Sequence, residues 1–146
     1  MFKKAQIAEK QILEIVSKNK IEKIGIEQNL QSFRSGFSSA HTLSSLSRFN
    51  GILSYIVFKM CDITPMFINV NSARKSAGLK IVKKSNGGDP VKEQVLSWSQ
   101  DRLLEDGFSW PTKVLKSGPR KGQEIFHPGC YDIADALVIA IATLPL

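Results

Sequence analysis

Ile21-Glu22-Lys23-Ile24-Gly25-Ile26-Glu27-Gln28 reads as a β-strand that ends on a carboxylate. Its apolar members are Ile21, Ile24 and Ile26, with Gly25 between them, which suits a central parallel strand covered on both faces. Before it, residues 3–18 carry Ala5, Ala8, Ile12, Ile15 and Val16 at helical spacing, with Glu14 and Lys18 as a favourable i,i+4 pair. Asn19-Lys20 breaks that pattern. After the strand, residues 29–39 form a polar, Ser-rich connection containing Phe33, Arg34 and Phe37. A long helix is expected over 40–60. Leu43, Leu46, Leu53, Val57 and Met60 make one stripe on it, and Phe49, Ile52 and Ile56 a second. A helix apolar on two sides must bury both: one side against a sheet, the other in a deep core or a dimer interface.

Residues 62–65 read as a turn, and Met66-Phe67-Ile68-Asn69-Val70 as a short apolar strand. Asn71-Ser72 can cap a helical turn that runs to Gly78. The following segment is basic, with Arg74, Lys75, Lys80, Lys83 and Lys84, and Ser85-Asn86-Gly87-Gly88 reads as a flexible loop. Asp89 as N-cap and Pro90 at the first helical position open another helix. That helix carries Val91, Val95, Trp98 and Leu103 and ends near Gly107. Residues 108–129, rich in Gly and Pro and carrying Lys113, Lys116, Arg120 and Lys121, read as a long basic loop. The last helix is expected over 131–144, buried through Ala134, Leu137, Ile141 and Leu144. This alternation predicts one α/β domain over 1–146, with a partly parallel sheet flanked by helices.

The chain has 146 residues, 42% of them hydrophobic, enough for one domain with a real core. Its net charge of +7 points to solubility or to a polyanionic partner, of which nucleic acid is the commonest. Cys61 and Cys130 fit neither a disulfide framework nor a metal spacing, and His41 and His127 are isolated, so a reducing, cytoplasmic compartment is expected and zinc is not. The start shows no signal-peptide pattern, and no apolar run is long enough to span a membrane.

Against this basic background stand three acids on elements that otherwise read as buried. Glu27 ends the first strand. Asp132 and Asp135, in Tyr131-Asp132-Ile133-Ala134-Asp135-Ala136, share a face of the last helix's first turn. Two plainer explanations exist. Acids favour helix N-termini, which covers Asp132 better than Asp135, and a strand end is exposed, so Glu27 can be idle there. Taken together, carboxylates in such settings need a compensating charge, and Mg²⁺ takes oxygen ligands from carboxylates and phosphate.

The order of these features resembles the RuvC-type Holliday junction resolvases of the RNase H-like superfamily. Ile26-Glu27-Gln28 is similar to that family's central strand with its metal-binding Glu. Asp132 and Asp135 resemble its two C-terminal metal ligands. Asn71-Ser72-Ala73-Arg74-Lys75 resembles the stretch leading to the DNA backbone. The resemblance implies an RNase H-like fold and a homodimer through the helix over 40–60. It begins at the helix that follows the family's first strands, so it implies an N-terminally truncated domain with three of four catalytic acids: a fragment, a short product or a degenerate relative. Leu30 stands where the family often has an aromatic residue, a place Phe33 or Phe37 could fill.

The implied reaction is Mg²⁺-dependent hydrolysis of a phosphodiester in branched DNA, with Mn²⁺ as a substitute ion. Glu27, Asp132 and Asp135 are the implied catalytic and metal residues. Phe33, Arg34, Arg74, Lys75, Lys80, Lys83, Lys84, Lys113, Lys116, Arg120 and Lys121 are the expected DNA contacts. The alternatives are a catalytically inactive, dimeric DNA-binding module of the same fold, and an adaptor protein whose acids merely cap a helix.

Overall fold

In the computed structural model, which describes residues 1–28 and 40–144, the chain is mixed α/β. The described elements are α1 (Phe2–Lys18), β1 (Gly25–Glu27), α2 (Ala40–Cys61), β2 (Met66–Ile68), α3 (Val70–Ser76), a 3₁₀ turn (Lys84–Asn86), α4 (Val91–Leu103), β3 (Thr112–Val114), β4 (Glu124–Phe126) and α5 (Gly129–Ala142). No described helix is long and apolar enough to cross a membrane.

β1 and β2 pair in parallel, with Gly25 opposite Met66, Ile26 opposite Phe67 and Glu27 opposite Ile68. The ladder is extended by Met66 N donating to Ile24 O and Gln28 N to Ile68 O. Residues 21–23 lie outside this pairing. The expected central strand is therefore shorter, and among the described residues it has one neighbour rather than two. Met66 and Phe67, in the segment read as a short apolar strand, are 42% and 51% exposed. A continuous apolar run fixes the strand but not what covers it.

The main core is helical. Ala73 and Leu79, Val95 and Leu96 of α4, and Cys130, Ala134, Val138 and Ile139 of α5 form one buried cluster, with Ile68 packed against it. The buried face of α5 is only in part the expected Ala134–Leu137–Ile141–Leu144 stripe: Ala134 is buried, while Leu137 and Ile141 are half-buried. Leu144 is 62% exposed, and Cys130, Val138 and Ile139 are buried beside Ala134 instead. Ser99 of α4 is fully buried and donates to Ala134 O at 3.5 Å, so the two helices meet through small side chains. α1 packs on α2, where Ala5, Ile56 and Val57 are buried. Of the two stripes of α2, Val57 of the first and Ile56 of the second are buried, Leu46 of the first is exposed and the others are half-buried; the exposed Tyr55 and Phe58 belong to neither stripe.

Local caps also differ from expectation. Asn69, not Asn71 or Ser72, caps α3, its Oδ1 accepting from both of their backbone N–H groups. α4 opens at Val91 with Pro90 as N-cap, one residue later than expected. In the segment read as a loop, Asn86 N and Gly88 N donate to Lys83 O and Gly87 N to Lys84 O, and on either side Gln94 bonds both backbone groups of Val82 and the carbonyl of Asp89.

The long basic loop is in large part a β-hairpin. β3 and β4 pair antiparallel, with Lys113 opposite Ile125, and the ladder continues through Leu115 N to Gln123 O and Gly122 N to Leu115 O. Gly122, at φ 87°, supplies the left-handed conformation that closes this end. The strands are too short for alternation to reveal them in the sequence.

Candidate functional site

A concave pocket of about 340 Å³ is lined by Gly25, Ile26, Glu27, Asp132, Asp135, Ala136 and Ile139. All three sequence-predicted acids therefore face one space. The packing of α5 on β1 makes the pocket, and Gly25 permits it. A Cβ at that position would stand 2.3 Å from Thr143 Cγ2 and 3.0 Å from Ile139 Cγ2. Asn50 of α2 donates to Glu27 O at 3.1 Å, anchoring the strand end that carries the acid.

The pocket has an uneven charge balance. Burial of its carboxyl, followed by repulsion from Asp135, holds Glu27 above the ordinary carboxylate range, while Arg74 pulls it the other way. Glu27 is exposed as a whole residue, so the desolvation it feels is partial. Arg74 Nη2 sits 3.4 Å from Asp135 Oδ1, with side chains 18% and 31% exposed. Among the described residues this is the ion pair that joins distant segments; the others are local. The Nε of Arg74 is buried and has no hydrogen-bond partner.

No three His, Cys, Asp or Glu side chains among the described residues stand close enough together to hold a metal ion. The donor chemistry nonetheless fits a hard divalent cation: three carboxylates border one pocket, two of them repel each other, and a single monovalent side chain offsets them. Such an ion would require Glu27, Asp132 and Asp135 to draw together.

The expected DNA contacts divide into groups. Arg74, Lys75 and Lys80 line a second pocket of about 300 Å³, with Asn71, Gly78, Leu79 and Ile81. Lys83 and Lys84 are exposed at the 3₁₀ turn. Lys113 is half-buried on β3, while Lys116, Arg120 and Lys121 are exposed between the hairpin strands. Phe33 and Arg34, with Leu30 and Phe37, lie outside the described residues. The sequence reading missed the pairing of Arg74 with Asp135, 61 residues apart; the only signal was a cation in a segment already read as phosphate-binding. It also missed Asn50, for which the sequence offers no signal. Comparison with protein-family models, with curated proteins and with solved structures finds no match.

Proposed function

We propose that the chain is a metal-dependent, structure-specific endodeoxyribonuclease of the RuvC type, with an RNase H-like fold, that hydrolyses a phosphodiester in branched DNA and works as a homodimer. The observation that carries this reading is the meeting of Glu27, Asp132 and Asp135 in one pocket, although 104 residues lie between positions 27 and 132. The basic second pocket supports it, because Arg74 lines that pocket and pairs with Asp135 of the first.

Glu27, Asp132 and Asp135 would hold Mg²⁺ or Mn²⁺ through their carboxylate oxygens. A metal held there would supply Lewis acidity at the phosphate and would lower the pKa of a water beside it. The chain's own residues do the rest. Lys75 and Lys80 orient a phosphate beside the acids, Asn50 fixes the end of β1, and the cations of the hairpin extend the backbone contact.

The test is cleavage of a synthetic four-way junction with Mn²⁺. Cutting by the parent chain, lost in Glu27→Gln and in Asp135→Asn, is the expected result. Cutting that survives both changes overturns the assignment. A second reading, an inactive dimeric DNA-binding module, is favoured by one observation: the acids are not gathered tightly enough to hold a metal as they stand. That reading expects salt-sensitive junction binding with no cleavage in Mn²⁺.

A further inference from the structure

Three acids line the pocket, one guanidinium pairs with Asp135 among them, and that guanidinium is poorly held. Its contact with Asp135 is a single 3.4 Å approach rather than a two-pronged bond. Its Nε is buried without a partner, which costs free energy as long as the side chain stays there. Arg74 acts on two of the three carboxylates, Glu27 and Asp135, and Glu27 stays above the ordinary carboxylate range despite it. The same side chain borders the second pocket, about 300 Å³ in volume and lined by Asn71, Lys75 and Lys80, so there is space into which it can move.

We infer that Arg74 is the resident counter-cation of the acid pocket, a positioning residue that holds Asp135 in the metal-free chain and that a divalent ion displaces. This rests on the metal-dependent reading of the acid pocket and adds its regulation: metal and guanidinium compete for one carboxylate. Displacement frees Asp135 to act as a ligand and relieves the buried Nε. Until then, Arg74 prevents the acids from repelling one another apart. The metal affinity of the parent chain is therefore lower than its three carboxylates alone allow.

Two measurements test this, neither of which depends on cleavage. Mn²⁺ binding is followed by electron paramagnetic resonance for the parent, Arg74→Gln and Glu27→Gln. Arginine Nε–H signals of the parent are followed by ¹⁵N NMR during titration with Mg²⁺, with Arg74 assigned from the signal missing in Arg74→Lys. The expected result is Mn²⁺ binding about tenfold tighter in Arg74→Gln than in the parent. The Arg74 Nε–H signal should shift, and exchange faster with water, in step with Mg²⁺ saturation. If the parent binds Mn²⁺ and loses it in Glu27→Gln, but Arg74→Gln binds no tighter and the Arg74 signal stays fixed, the inference is overturned and the metal site stands. If neither the parent nor Arg74→Gln binds Mn²⁺, the metal reading fails and takes this inference with it. Should Arg74→Gln not fold, the parent's Nε–H signal decides alone: movement supports the displacement, and a fixed signal at Mg²⁺ saturation refutes it.

Discussion

A methyl group at position 25 would stand 2.3 Å from Thr143 Cγ2, inside any tolerable contact. Thr143 and Ile139 are buried, so neither can swing away freely. Gly25→Ala should therefore push α5 off β1, at a cost of about 1–3 kcal/mol of stability. In a thermal melt this is a drop in midpoint of roughly 3–10 °C; an unchanged midpoint would mean that α5 does not press on β1. Glu27 gives a second prediction. Its folded-state pKa is raised above the ordinary 4.5, by burial first and Asp135 second. Stability linked to its protonated form is fully present below about pH 4.5 and is lost as pH rises through the higher folded value. Glu27→Gln cannot suffer that loss. The variant should be more stable than the parent at neutral pH, with the gap closing on acidification. Parallel stability profiles for the two chains from pH 4 to about pH 7 would contradict it.

The hairpin formed by β3 and β4 projects Lys116, Arg120 and Lys121 from exposed positions between its strands. If these cations meet DNA phosphates, changing all three to Ala should flatten the dependence of log affinity on log salt by about 2–3, close to 0.9 per lost contact. Fluorescence anisotropy with a junction at several salt concentrations measures this, and an unaltered slope would make the hairpin a merely solvated surface. How far the elements could be read from the sequence follows from their length. α1 and α2 are long enough for helical spacing to show, and their bounds lie within a residue of expectation. β3 and β4 have three residues each, below the reach of any period-2 signal, and Gly and Pro nearby favour a loop reading. The buried face of α5 was misjudged for another reason. Ala134 is buried as expected, but Cys130, Val138 and Ile139 take the places expected for Leu137, Ile141 and Leu144, because a helix apolar nearly all round shows no single stripe. The acids were legible because carboxylates in apolar surroundings stand out. Their counter-ion Arg74 was not, since nothing local links it to Asp135.

Across the whole chain, burial and exposure are unevenly shared. α3, α4 and α5 enclose the main core beneath the acid pocket. α1 and α2 pack on each other and leave large apolar side chains in solvent: Phe2, Ile7, Leu13 and Ile15 on one, and Leu46, Tyr55 and Phe58 on the other. Isolated exposed apolar residues are ordinary, but this many on two paired helices suit a covered surface. A second copy is the occupant that the proposed function calls for, since a two-fold dimer matches the two strands cut at a four-way junction. α2 is the helix expected to form that interface, and its exposed aromatics Tyr55 and Phe58 are three positions apart, on one side of the helix. Tyr55→Glu with Phe58→Glu should remove two apolar anchors of about 1.5–3 kcal/mol each and place charge in the contact. Sedimentation equilibrium at tens of micromolar, on the order of concentrations that populate weak dimers, is expected to show a dimer for the parent and a monomer for the double variant. The helical circular dichroism signal should be retained, because both side chains are exposed in the single chain. A parent chain that sediments as a clean monomer under these conditions removes the dimer from the proposal. The acid pocket, built within one chain from β1 and α5, would be untouched by that result.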